Sequence, residues 1–147
     1  MSVDATLDVY QHYNPTNLTL SRSTTESPNV GGLAFATDGN TTNIQVKIQG
    51  NIDTKIADHF NEIKNCFSHE EKHYDDYLAD GYEIYHNTPT QAREYNAIKV
   101  QIQDPTFQNT RSNFQKSIIE YGKSNGLFER LRIKTITVFR INLPEIK

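Results

Sequence analysis

The order of periodicities along this chain predicts an α+β domain. Three observations lead there. The first fifty residues hold short alternations of apolar and polar side chains. The middle of the chain places apolar residues at helical spacing. The end returns to alternation in T135-I-T-V-F-R-I-N-L143, which Pro144 closes. Strands, then helices, then a strand is the order expected of α+β architecture. The length of 147 residues is that of one ordinary domain, so residues 1–147 are read as a single unit.

Taken in order, V3-D-A-T-L-D-V-Y10 and N17-L-T-L-S21 are short strand-like alternations. S21-R-S-T-T-E-S-P-N-V-G-G32 has loop composition. L33-A-F-A-T-D38 sets Leu33, Phe35 and Thr37 on one side. N43-I-Q-V-K-I-Q49 is the cleanest strand, with Ile44, Val46 and Ile48 facing one way. Asp38-Gly39-Asn40 between them is a turn signal, so the two form a hairpin.

After Gly50 a long helix is expected over about 53–80, capped by Asn51 or Asp53 and ended by Gly81. Ile56, Phe60, Ile63 and Phe67 form its apolar stripe, continued by Tyr74 and Leu78. S68-x-x-E71 resembles a capping box that would split this helix, but the apolar phase runs unbroken through Ser68. The next helix begins at Thr88-Pro89-Thr90-Gln91, with Thr as the N-cap and Pro in the first turn. It runs to Gln103 and stops before Asp104-Pro105. Its end, I98-K-V-Q-I-Q103, also alternates like a strand, and the helix reading is kept. A last helix is expected over about 111–123 on Phe114, Ile118 and Tyr121.

Composition narrows the function. The net charge is -3, and the 15 Lys and Arg form no basic stripe, so nucleic acid is not expected as a partner. No apolar run approaches the roughly 20 residues that span a bilayer, so no membrane role is expected. The acidic, mixed N-terminus is not a secretory signal. A cytoplasmic product, exported or injected only as part of something larger, is the expected location. The single Cys66 rules out an intrachain disulfide and a cysteine-built zinc site. Cys66 reads as packing, and no Gly-rich phosphate loop or Ser-His-Asp ordering is visible.

One motif carries chemistry. H69-E-E-K-H73 is H-E-x-x-H on an independently predicted helix. Histidines four apart share a helix face, so both rings can reach one tetrahedral Zn²⁺ at about 2.0–2.1 Å. The Glu next to the first His lies beside the metal's water and can take its proton. This assigns His69 and His73 as ligands and Glu70 as general base. A chance match is expected on the order of once per hundred chains of this composition. On a helical wheel both histidines flank the apolar stripe, where a cleft would lie. Against the site, Glu71 and Lys72 at the middle positions are both charged. A third ligand is needed. Asp76, Asp80, Glu83, His86 and Glu94 are the candidates, with Glu94 on a separate helix about twenty residues on. His86, Tyr82, Tyr85 and Tyr95 are candidate donors to an oxyanion.

H69-E-E-K-H73, the Tyr/Asp-rich stretch after it, Pro89 and E94-Y-N-A97 together resemble the gluzincin type of metallopeptidase. The run from Ser68 to about Phe114 is similar to the small H-E-x-x-H domains at the C-terminal ends of bacterial polymorphic (Rhs-type) toxins. The resemblance covers about a third of the chain. It implies a small zincin-like α+β domain in which His69, His73 and Glu94 bind zinc and Glu70 is the base. It implies a protein substrate that pairs with the strand I44–Q49 as an edge, and a cognate immunity protein as partner. H-E-x-x-H-x-x-G-x-x-H does not fit, because Asp76 and Ala79 stand at the later positions. The competing reading is a non-catalytic α+β interaction module, an immunity or adaptor protein. In it H-E-E-K-H is the wet face of an amphipathic helix and Glu94 a surface carboxylate near a helix start.

Overall fold

The computed structural model describes residues 8, 12, 19–27, 33–40, 42–49 and 59–127. Its elements are β1 (Thr19–Ser27), β2 (Leu33–Thr37), β3 (Thr42–Gln49), α1 (Phe60–Asn87), α2 (Thr90–Gln103) and α3 (Ser112–Ser124). A short 3₁₀ turn, Phe107–Asn109, joins the last two helices.

The α+β expectation is corrected. The described chain is mostly helical: among residues placed with their side chains, 79% are helical and β2 is the one strand. Among the described side chains, the buried apolar ones, Ile63, Cys66, Phe67, Tyr85, Tyr95, Ala97, Ile98, Phe107, Phe114 and Leu127, come from the helical half. The strands contribute a backbone ladder in the order β1-β3-β2, with β1 parallel and β2 antiparallel to β3. The strand expected at 135–143 lies outside the described residues. Of the strand read at 3–10, only Asp8 is described, and it is helical.

The β2–β3 hairpin turns as Asp38-Gly39-Asn40 predicts. The Asp38 carboxylate accepts from the Asn40 N–H at 2.9 Å, and Gly39 has φ 91°. Two strand expectations change. The stretch read as loop after Ser21 continues as β1 to Ser27, with an irregularity between Ser23 and Glu26 that absorbs its polar run. β3 is central, paired on both sides, so it cannot be the free edge that accepts a substrate strand. The edge strand beside α1 is β2.

α1 is continuous through Ser68, whose hydroxyl donates to the Asn65 carbonyl inside the helix. The capping positions Asn51 and Asp53 lie outside the described residues. The described helix starts at Phe60 after His59, without a side-chain cap. Ile63 and Phe67 are buried as the stripe requires, but Leu78 is 61% exposed. At Gly81 the backbone leaves the helix, with φ 77° and ψ 170°, and resumes for one more turn to Asn87. Only glycine adopts that combination freely.

Pro89 is the N-cap of α2 in place of the expected Thr88. The Thr88 hydroxyl instead donates back to the Ile84 carbonyl, closing the preceding turn. I98-K-V-Q-I-Q103 is helical, and α2 ends before Pro105 as expected. Glu94, Ala97, Ile98 and Gln101 share one face at i, i+3, i+4 and i+7. Ala97 and Ile98 are fully buried, and α2 packs along α1. α3 closes the base, with Phe114 against Cys66 and Phe107. Burying a side chain such as Phe114 stabilises by about 1.5–3 kcal/mol.

Candidate metal centre

Three side chains from two helices converge. His69 and His73 are on α1 and Glu94 is on α2. Their ligand atoms form the one His/Cys/Asp/Glu group, among the described residues, arranged to hold a metal ion. His69 Nε2 and His73 Nε2 are 3.2 Å apart. His69 Nε2 is 3.2 Å from Glu94 Oε2, and His73 Nε2 is 3.4 Å from Glu94 Oε1. The carboxylate straddles the two nitrogens. For ligands at about 2.0–2.1 Å from a tetrahedral zinc, neighbouring ligand atoms lie about 3.3 Å apart. The separation of the two imidazole nitrogens matches one edge of that tetrahedron, and each nitrogen meets a different oxygen of Glu94. One ligand atom from each of the three residues lies within 4.8 Å of the others.

The chain path explains how Glu94 arrives there. If α1 ran straight to Asn87, folding back at Thr88-Pro89 would set Glu94 opposite residue 83. At the α-helical rise, that point lies roughly 15–21 Å along the helix from His73 and His69. The break at Gly81 removes this constraint. It swings the last turn of α1 inward, so Tyr85 packs 6.5 Å from the His73 ring and edge-on to Phe35 of β2. α2 then begins close enough for Glu94 to meet both histidines.

The site is largely buried and strongly polarised. His69, Glu70 and His73 are buried, and Glu94 is partly buried. Burial acts to lower the His69 pKa. The Glu94 hydrogen bond, the Glu70 and Glu94 charges and the Gln101 hydrogen bond outweigh it, and His69 ends above its ordinary value. Burial acts to raise Glu94, but hydrogen bonds and positive charge from His69 and His73 hold it well below the usual carboxylate range. Both shifts reflect the close approach of the Glu94 carboxylate to the imidazole nitrogens.

Glu70 lies beside this group. Its Oε2 accepts a 2.7 Å hydrogen bond from the Phe35 N–H of β2. That amide is aimed at α1, so the outer edge of β2 runs past the carboxylate. Outside the group of three, Gln101 Oε1 is 3.2 Å from His69 Nδ1, and the Tyr121 hydroxyl donates to Glu94 Oε2 at 2.9 Å. His73 Nδ1 is buried with no partner among the described residues.

The remaining candidates separate clearly. Asp76 pairs with Lys72 one turn away, and Asp80 and Glu83 are exposed. His86 is exposed and stacks on Tyr82, with ring centroids 4.4 Å apart. Tyr95 packs with Ile98 and Leu127 in the core. Tyr85 alone of the tyrosines considered is buried against the site. Burial pushes its hydroxyl pKa up, opposed by Arg93 and reinforced by Glu70 and Glu94. The Arg93 guanidinium lies 4.6 Å over its ring. The charged middle residues of the motif do not enter the site: Lys72 turns to Asp76, and the Glu71 pKa is raised by burial and by Asp75 and Asp104. Cys66 is buried in the apolar cluster and its thiol is pushed up to about 12, as packing rather than reactivity requires.

Sequence reasoning missed Gln101, Tyr121, Arg93 and the Phe35 amide. Only the i, i+7 spacing of Glu94 and Gln101 could have flagged one of them, by placing both on the face that meets α1. No family model matches the chain, and no curated protein or solved structure is significantly similar to it. No helix among the described residues is long and apolar enough to cross a membrane.

Proposed function

We propose that this chain is a zinc-dependent metallopeptidase domain. His69, His73 and Glu94 hold Zn²⁺, and Glu70 is the general base. The observation that carries the reading is the convergence of His69, His73 and Glu94 from two helices, with one ligand atom from each within 4.8 Å of the others. Bound there, zinc would supply Lewis acidity and bring the pKa of its water to about 7.

The residues of the chain do the rest. Glu70 follows His69 directly and accepts the proton of the attacking water. The Phe35 N–H holds the far side of that carboxylate and fixes its direction. An extended peptide laid along the outer edge of β2 would pass this base, so the substrate class is an unfolded or extended protein segment. Tyr85, whose ring packs beside His73 with Arg93 over it, is the candidate donor to the developing oxyanion. The setting that the resemblance suggests is a proteolytic toxin or effector domain, delivered as part of a larger chain and countered by an immunity protein.

Zinc-loaded protein incubated with unfolded casein tests the reading. Glu70→Gln is expected to keep its zinc and lose about 10²–10⁴-fold in cleavage rate. Equal cleavage by wild type and Glu70→Gln would remove Glu70 from its role.

A further inference from the structure

Gln101 is 2% exposed and clasped from two sides by α1. Its backbone carbonyl accepts from Asn65 Nδ2 at 2.9 Å, and its side-chain oxygen faces His69 Nδ1 at 3.2 Å. Asn65 and His69 are one turn apart, so one turn of α1 grips one residue of α2. An amide oxygen can only accept. Glu94 Oε2, 3.2 Å from Nε2, is also an acceptor, so it is with a cation on the Nε2 side that the Nδ1–H donates to Gln101 and the Nε2 lone pair faces the cation.

We infer that Gln101 is the positioning residue of the metal centre: it fixes His69 as the Nδ1–H tautomer and aims Nε2 at the cation. The same helix face thus delivers a ligand, Glu94, and the orienting partner of a second ligand, His69. The partner is a neutral amide, where a carboxylate would add a second buried negative charge next to Glu94. His73 has no such partner among the described residues. The two histidines are therefore unequal, and His69 is the preorganised one.

The inference rests on the zinc reading of the site. Zinc affinity is measured by competition with a chromophoric chelator for wild type, Gln101→Met and Gln101→Glu. Gln101→Met keeps the volume and loses the acceptor, and it is expected to weaken zinc by about 10–100-fold. Gln101→Glu keeps the acceptor and is expected to bind at least as tightly as wild type. Equal affinity in Gln101→Met would overturn the inference. The second arm needs no variant. In zinc-loaded, ¹⁵N-histidine-labelled wild-type protein, the nitrogen shifts of His69 are expected to report a protonated Nδ1 and a metal-bound Nε2. A metal-bound Nδ1 would overturn the inference even if Gln101→Met does not fold. Absence of zinc binding by wild type would overturn the proposed function and the inference with it, whereas zinc bound through Nδ1 overturns the inference alone.

Discussion

Two carboxylates lie against α1, and they are neutralised in opposite ways. Glu62, in the first turn of α1, is fully buried and closed by Arg111, with Nε and Nη2 each 2.8 Å from one carboxylate oxygen. The Arg111 backbone N–H adds a third contact at 3.3 Å. That carboxylate has its cation built into the chain, and the pair locks the start of α3 to the start of α1. Two turns further along, Glu94 faces two imidazoles. No Lys or Arg is paired with it among the described residues. The first arrangement is complete without a ligand. The second is completed only by protonating the rings or by binding a metal. Burial of charge alone does not mark a site; burial of charge whose counter-ion is missing does.

Variants at each end should separate the two roles. The largest stability loss is expected at the closed pair. Arg111→Met leaves the Glu62 carboxylate buried and unpaired. It is expected to cost about 3 kcal/mol in chemical denaturation, the low end for a broken buried pair because Arg111 is partly exposed. Zinc stoichiometry should not change. If Arg111→Met instead lost its metal at full stability, the division between the two regions would be wrong.

Gly81→Ala comes next. Nothing lies within 4 Å of the added Cβ, so the cost is backbone strain alone, about 1–3 kcal/mol. The variant can relieve that strain by straightening α1, which carries Glu94 away from the histidines. Zinc affinity should therefore fall by more than the loss of stability explains. A stability loss with unchanged zinc affinity would show that the break does not set the position of Glu94.

The smallest effect is the pH dependence of the metal-free protein. Glu94 is depressed, so its contribution is present above the ordinary carboxylate pKa of about 4.3 and is lost as pH falls towards its folded value. His69 is raised, so its contribution is complete below about 6.5 and is lost as pH rises through its folded value. Metal-free protein should be most stable between these limits. Zinc should move the optimum upward, because it binds only deprotonated rings. An optimum unmoved by zinc, in thermal unfolding across pH, would argue against metal on these histidines.

Much of the helical half was legible in the sequence because its signals are local. The apolar stripe with Ile63 and Phe67, the Pro89 start and the Asp104-Pro105 stop each act within a turn or two. H-E-x-x-H was legible because its geometry is set by one helix. Glu94 needed a resemblance, since its approach depends on the unusual backbone at Gly81, which a glycine in sequence permits but does not announce. The fold class failed on proportion: alternation in the first fifty residues gives strands, but it does not say that helix will dominate the described residues. Leu78 continues the stripe in sequence yet faces solvent among the described residues, because α1 breaks three residues later and α2 packs elsewhere. Tyr121 and Arg111 act across elements, where no spacing rule reaches, and Gln101 shows itself only through its i, i+7 spacing from Glu94.

The central claim is that the Glu94 end of the comparison is a metal centre. The most direct test is elemental analysis of wild type and Glu94→Gln, purified without chelator, saturated with zinc and dialysed. About one zinc per chain in wild type, lost in Glu94→Gln with the fold intact by circular dichroism, is the predicted result. Wild type without zinc after saturation would contradict the account and leave H69-E-E-K-H73 as a hydrogen-bonded cluster with no metal chemistry.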